Sequence, residues 1–133
     1  MHVTLRSVAT ISCLRAHRVF PEVRCALTNA SRRGFRVIQF SVQENHLHLI
    51  VEGDDTTTLA LGIRGLTIRL ARAVNRTLGR HGRVWADRYH ARALTTPRAV
   101  RHALVYVLRN RQKHEPRNRP RSVFLRRMVR RVA

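Results

Sequence analysis

The chain has 133 residues, of which 44% are hydrophobic, and it carries 27 Lys+Arg against 7 Asp+Glu for a formal charge of +20. That hydrophobic share excludes a disordered basic tail, and the length fits one small domain. No apolar run approaches the roughly 20 residues needed to cross a bilayer, and the first residues lack the basic, apolar and small-residue order of a signal peptide.

Residues 2–6 (HVTLR) alternate polar and apolar side chains and are expected as a strand. A strand this near the first residue fits a translation start upstream of Met1. Residues 20–33 read as a helix, with Pro21 in its first turn, Val23, Leu27 and Ala30 on one face, and Gly34 as the stop. Residues 35–42 and 46–52 are β-branched and alternating, joined by Gln43-Glu44-Asn45, which reads as a hairpin. Asp55 or Thr56 suits the cap of a long helix over about 57–79, whose core face is Leu59, Ile63, Leu66, Leu70 and Val74. Residues 83–94 alternate again and are expected as a bent or bulged strand. Thr96-Pro97 then opens a helix to about His114. Residues 116–133, with two Pro and seven Arg, read as a basic tail to a domain spanning 1–115. The order β-α-β-β-α-β-α implies an α+β sandwich, with helices on one face of an antiparallel sheet.

The charge is uneven. Residues 1–66 hold 8 Arg and 5 acids, for +3, whereas residues 67–133 hold 18 Arg, one Lys and 2 acids, for +17. Such a half repels itself unless a polyanion neutralises it, so nucleic acid is the expected partner. An anionic membrane surface fits less well, because no Arg-bearing face is backed by bulky aromatics. Arg69, Arg72, Arg76 and Arg80 form a stripe on the long helix. It is either a solvated face or a track for phosphates, and in the +17 half the second reading leads. The two cysteines, Cys13 and Cys25, follow no metal or redox spacing and suit reduced thiols in a cytoplasmic protein.

His46-Leu47-His48 lies in a strand whose period of two sends both imidazoles to one face and the leucines to the other. Two imidazoles one pleat apart can share a divalent metal, although H-x-H also arises on ordinary surfaces. In the last helix Val100, Ala103, Leu104, Val107 and Leu108 make the buried side. Tyr106 falls off that side together with His102, Asn110 and Lys113, and Asn110 is one turn beyond the tyrosine.

These residues resemble a known family. Asn45-His46-Leu47-His48 is similar to the "N-H-hydrophobic-H" signature of HUH endonucleases. Tyr106-Val107-Leu108-Arg109-Asn110 resembles the helix that bears their single tyrosine, and Gly82-Arg83-Val84-Trp85-Ala86-Asp87-Arg88-Tyr89 resembles a further block of the same proteins. Together, over about 2–114, they resemble the single-tyrosine transposases and the REP-associated tyrosine transposases. The resemblance implies a ferredoxin-like fold and metal-dependent cleavage of single-stranded DNA, with a hairpin nearby. His46, His48 and Asn110 would bind Mg²⁺ or Mn²⁺, and Tyr106 would be the nucleophile. Arg88, Arg109 and Lys113 join the Arg stripe as expected DNA contacts, and Tyr89 is structural or touches DNA. The resemblance also implies a homodimer with composite active sites. Two positions depart from the family pattern: Arg111 follows Asn110 where many relatives have Pro, and Glu44 stands where a small residue or Pro is common. A non-catalytic hairpin binder of the same fold is the rival reading.

Overall fold

The computed structural model describes residues 1–112; the basic tail and Lys113 lie outside the described residues. The elements are β1 (His2–Arg6), α1 (Phe20–Thr28), β2 (Phe35–Val42), β3 (His46–Gly53), α2 (Thr56–Leu78), β4 (His90–Arg92) and α3 (Pro97–Gln112). The strands form one sheet in the order β2-β3-β1-β4, and every neighbouring pair is antiparallel. This is the expected ferredoxin-like α+β sheet. No helix among the described residues is long and apolar enough to cross a membrane.

The pleat sorts the two faces. Val3 and Leu5 of β1 pair with Leu49 and Leu47 of β3, and together with Val51 they point into the main core. Val23 and Leu27 of α1 and Ile63, Leu66, Leu70 and Val74 of α2 close that core from one side. Asp55 Oδ1 accepts from the Thr58 N–H at 2.7 Å, and Gly79, with φ of 58°, ends α2 in a left-handed cap. Gly62 faces the ring of Phe35 so closely that any Cβ would overlap it. The absent side chain lets α2 approach the sheet despite glycine's poor helix propensity.

The third helix departs from the expected single helical face. Ala103 and Val107 of α3 bury against Ile50, with Ile38, Leu94 and Leu104 around them. Ile50 points away from the main core, so α3 crosses the sheet face opposite to α1 and α2. Its apolar stripe needs an apolar seat, and Ile50 with its neighbours supplies one on the otherwise polar face.

Two expected boundaries move. Helix α1 ends at Thr28 rather than 33, because the side chains of Thr28 and Asn29 turn back to its last carbonyls. A tight turn follows, in which Arg32 and Phe35 exchange backbone hydrogen bonds and Gly34 takes φ of 82°. The alternating run 83–94 keeps only three strand residues. Ser7 bridges Trp85, but Thr4 pairs with His90, so the register slips by two and Asp87, Arg88 and Tyr89 loop out.

Candidate active site

The face of β3 that carries His46 and His48 is completed by its neighbours. Arg6 pairs with His46, Thr4 with His48 and His2 with Ile50, so three β1 side chains share that face. On the other side Ser41 of β2 pairs with His48. Helix α3 then lays Tyr106 over the cluster.

The rings of His46 and His48 stand 4.9 Å apart, nearly perpendicular. The Tyr106 ring meets His48 edge-on at 5.2 Å and His2 at 6.1 Å, while half of Tyr106 remains exposed. His46 Nδ1 is 2.8 Å from Asn45 Oδ1. His48 Nδ1 lies 3.2 Å from both Thr4 Oγ1 and His2 Nε2. The other nitrogen of His48, Nε2, is buried with no hydrogen-bond partner.

Burial pushes the His48 pKa down to about 4, helped by His46 and His2. Burial also lowers His46, with Arg6 adding to it, and lowers His2, with Arg92 adding to it. All three imidazoles are therefore neutral at pH 7 and retain a lone pair for a cation or a donor.

These donors fit the divalent metal that the family resemblance implies. An orphaned, buried imidazole nitrogen needs a partner, and a cation is one that a neutral ring can hold. Among the described residues no three His, Cys, Asp or Glu side chains converge into a closed cage. Two imidazoles would leave positions open for an amide oxygen, water or phosphate, as a catalytic site requires.

Asn110 lies one turn beyond Tyr106, and its backbone carbonyl accepts from Gln43 Nε2 at 3.5 Å. The same amide donates to Ser41 Oγ at 2.7 Å. Arg109 is exposed on the last turn of α3, and Arg88 is exposed in the looped-out segment. The Arg stripe of α2 sits on the opposite layer, separated from the imidazoles by the sheet. There Arg72 and Arg76 are exposed, and Arg69 reaches back to the Gly65 carbonyl. Arg80 is engaged in the fold, bonding Asn75 Oδ1 at 2.8 Å, the Arg83 carbonyl and Thr10 Oγ1.

Sequence reasoning missed two features. One is His2, whose place beside His48 depends on the β1–β3 register. The other is a groove of about 940 Å³ at the open β2 edge, lined by Arg15, Phe20, Arg24, Phe40, Ser41 and Arg111 among others, with no acid among its lining residues. Arg15 stacks over Phe20 at 5.0 Å and Arg111 over Phe40 at 5.9 Å. Its residues are scattered from 15 to 111, so no local spacing could have signalled it.

No curated protein matches the chain significantly. Among solved structures, a REP-associated tyrosine transposase bound to a REP hairpin is similar with a TM-score of 0.68 at 19% identity, covering 99% of this chain and 80% of that one. A crystal structure of a candidate transposase from Deinococcus radiodurans R1 is similar with a TM-score of 0.58 at 14% identity, covering 82% of this chain and 88% of that one. At such identities the two likenesses establish the fold. The family model described as "Transposase IS200 like" matches residues 2–110, a span that includes both histidines, the tyrosine and Asn110. The chain therefore belongs to the IS200-like transposase family.

Proposed function

We propose that this protein cuts and rejoins single-stranded DNA in transposition, with Tyr106 as nucleophile and His46, His48 and Asn110 as ligands of Mg²⁺ or Mn²⁺. The observation that carries this reading is the seating of Tyr106 over His48, whose Nε2 is buried and without a partner.

A free phenol has a pKa near 10 and is a weak nucleophile at neutral pH, so the site must stabilise charge on the phosphate. A bound divalent cation supplies that by polarising a phosphate oxygen. Tyr106 Oη forms the new bond to phosphorus while the bond from phosphorus to the 3′ oxygen breaks. The half-exposed phenol releases its proton to water, and the leaving oxygen gains one to become a 3′-hydroxyl. The resulting 5′-phosphotyrosine preserves one phosphodiester bond for another, so attack by a second 3′-hydroxyl rejoins strands without a nucleotide cofactor.

The partner best supported is single-stranded DNA beside a hairpin. The similar transposase is bound to a REP hairpin, and here a basic groove with two aromatic rings starts one strand from His48. Bases stack on aromatic faces while arginines hold the backbone, without regard to sequence. A protein with this substrate works in the cytoplasm, at the nucleoid. The expected homodimer with exchanged tyrosine helices remains the second arrangement of the same chemistry. Tyr106 over the imidazoles of its own chain favours a site completed within one subunit.

The test is a labelled hairpin oligonucleotide with a single-stranded flank, incubated with Mn²⁺ and run on a denaturing gel. The wild type should give a covalent protein–DNA adduct that a chelator abolishes. Tyr106→Phe should still bind the DNA but form no adduct. Cleavage that survives in Tyr106→Phe would overturn the assignment, and binding with no adduct in the wild type would favour the non-catalytic binder.

A further inference from the structure

The arrangement of β1 carries one inference beyond the ligands and the nucleophile, and it rests on the reading of His48 as a ligand. We propose that Thr4 and His2 are positioning residues that hold His48 with its proton on Nδ1, leaving the Nε2 lone pair for the cation.

A neutral imidazole has two tautomers, and the partner of one nitrogen decides the character of the other. At His48 the two nitrogens have opposite surroundings. Nδ1 has two partners at 3.2 Å, Thr4 Oγ1 and His2 Nε2, and each can accept a hydrogen bond. Nε2 is buried and has none. With the proton on Nδ1, the N–H is satisfied and the buried Nε2 is a lone pair waiting for a cation. With the proton on Nε2, an N–H donor is buried with no acceptor, and a cation cannot bind there. The first tautomer is the one in which every group has a use.

The register explains why β1 supplies both partners. Thr4 faces His48 directly, and His2 lies one pleat further along, opposite Ile50. His2 also meets Tyr106 at 6.1 Å, so one ring braces a ligand and borders the nucleophile. Metal-bound histidines are commonly oriented by a hydrogen bond from their second nitrogen. Removing that bond typically weakens metal binding by about 10- to 100-fold. His46 is built on the same plan, with Asn45 Oδ1 at its Nδ1, but its partner is its own neighbour in sequence. His48 depends on a different strand.

The experiment uses the full chain and three variants: Thr4→Val, Thr4→Ser and His2→Phe. Valine and phenylalanine both suit a strand, so the sheet should persist, and the thermal midpoint checks it. Long-range ¹H–¹⁵N correlation spectra of the metal-free protein at neutral pH report the His48 tautomer. The wild type and Thr4→Ser should carry the proton on Nδ1, and Thr4→Val and His2→Phe should shift it toward Nε2. Titration with Mn²⁺, followed by calorimetry, should show affinity lowered by about 10- to 100-fold in Thr4→Val and His2→Phe and kept in Thr4→Ser. A wild-type His48 protonated on Nε2, or Thr4→Val and His2→Phe that match the wild type in both spectrum and affinity, would overturn the proposal. A wild type that binds no Mn²⁺ would overturn the metal reading of the site, while the spectra still decide whether Thr4 and His2 set the tautomer.

Discussion

One strand, β3, supplies two opposite chemistries. Leu47, Leu49 and Val51 face α1 and α2 and are buried among apolar side chains, with no group left wanting a partner. His46 and His48 face α3, whose Tyr106 ring meets His48 edge-on and whose apolar stripe is seated on Ile50 with Ile38 and Leu94 beside it. Three of the four buried polar side chains among the described residues, Ser41, Gln43 and His48, belong to this second face. The first face holds the sheet and α1–α2 together by burial. The second bears the cost of a buried His48 Nε2 without a partner, a cost that the proposed cation would offset.

The largest expected effect comes from making the second face resemble the first. On the proposed reading, His48→Leu should lower metal-dependent strand cleavage on the order of 10³-fold, since it would remove a ligand that helps to stabilise charge at the phosphate. The same substitution removes an unsatisfied buried nitrogen but also the Nδ1 partner of Thr4 and His2, so the two effects oppose and the thermal midpoint should change little. A fall in stability that parallels the loss of activity would show His48 to be a packing residue instead. On the first face the pattern reverses. Leu49→Ala should cost about 2–5 kcal/mol in denaturant unfolding, while the folded fraction forms adduct at the normal rate. The last effect is in pH. The folded His48 titrates near 4, below the ordinary histidine value, so between these limits the unfolded chain binds the proton first. Stability should be full above about pH 6.5, decline toward pH 4 and then level off, and His48→Leu should flatten part of that decline in a series of thermal melts. A wild-type curve that stays flat from pH 8 to 4 would mean that His48 is not buried in solution.

The comparison also shows what a sequence can reveal. Elements whose pattern is local were legible: β1, the β2–β3 pair, α2 from its cap to its glycine, and α3 with Tyr106 off its apolar stripe. The run 83–94 misled because alternation in sequence records alternating burial, and a loop lying on the protein can produce that as well as a ladder can. The end of α1 misled because Thr28 and Asn29 stop a helix through side-chain bonds that no hydrophobic period registers. At the candidate site, His46 and His48 announced themselves by spacing within one strand, and Tyr106 by its place off the apolar stripe of one helix. His2 and Thr4 were invisible in this respect, because their nearness to His48 is a fact of register between β1 and β3. The Arg stripe shows the converse: a regular spacing visible in the sequence that folding carries to the layer away from the imidazoles.

Among the described residues, α3 is seated on a small cluster of three buried residues, Ile50, Ala103 and Val107, with Ile38, Leu94 and Leu104 partly buried around them, whereas the rest of the domain shares the much larger main core. The helix that carries Tyr106 and the rest of the fold therefore rest on separate apolar clusters. Weakening that small footing would draw Tyr106 from the imidazoles and Arg111 from Phe40, while the sheet and the α1–α2 layer kept their shared core. On the proposed reading, loss of cleavage would then require no new fold, only the slackening of one helix.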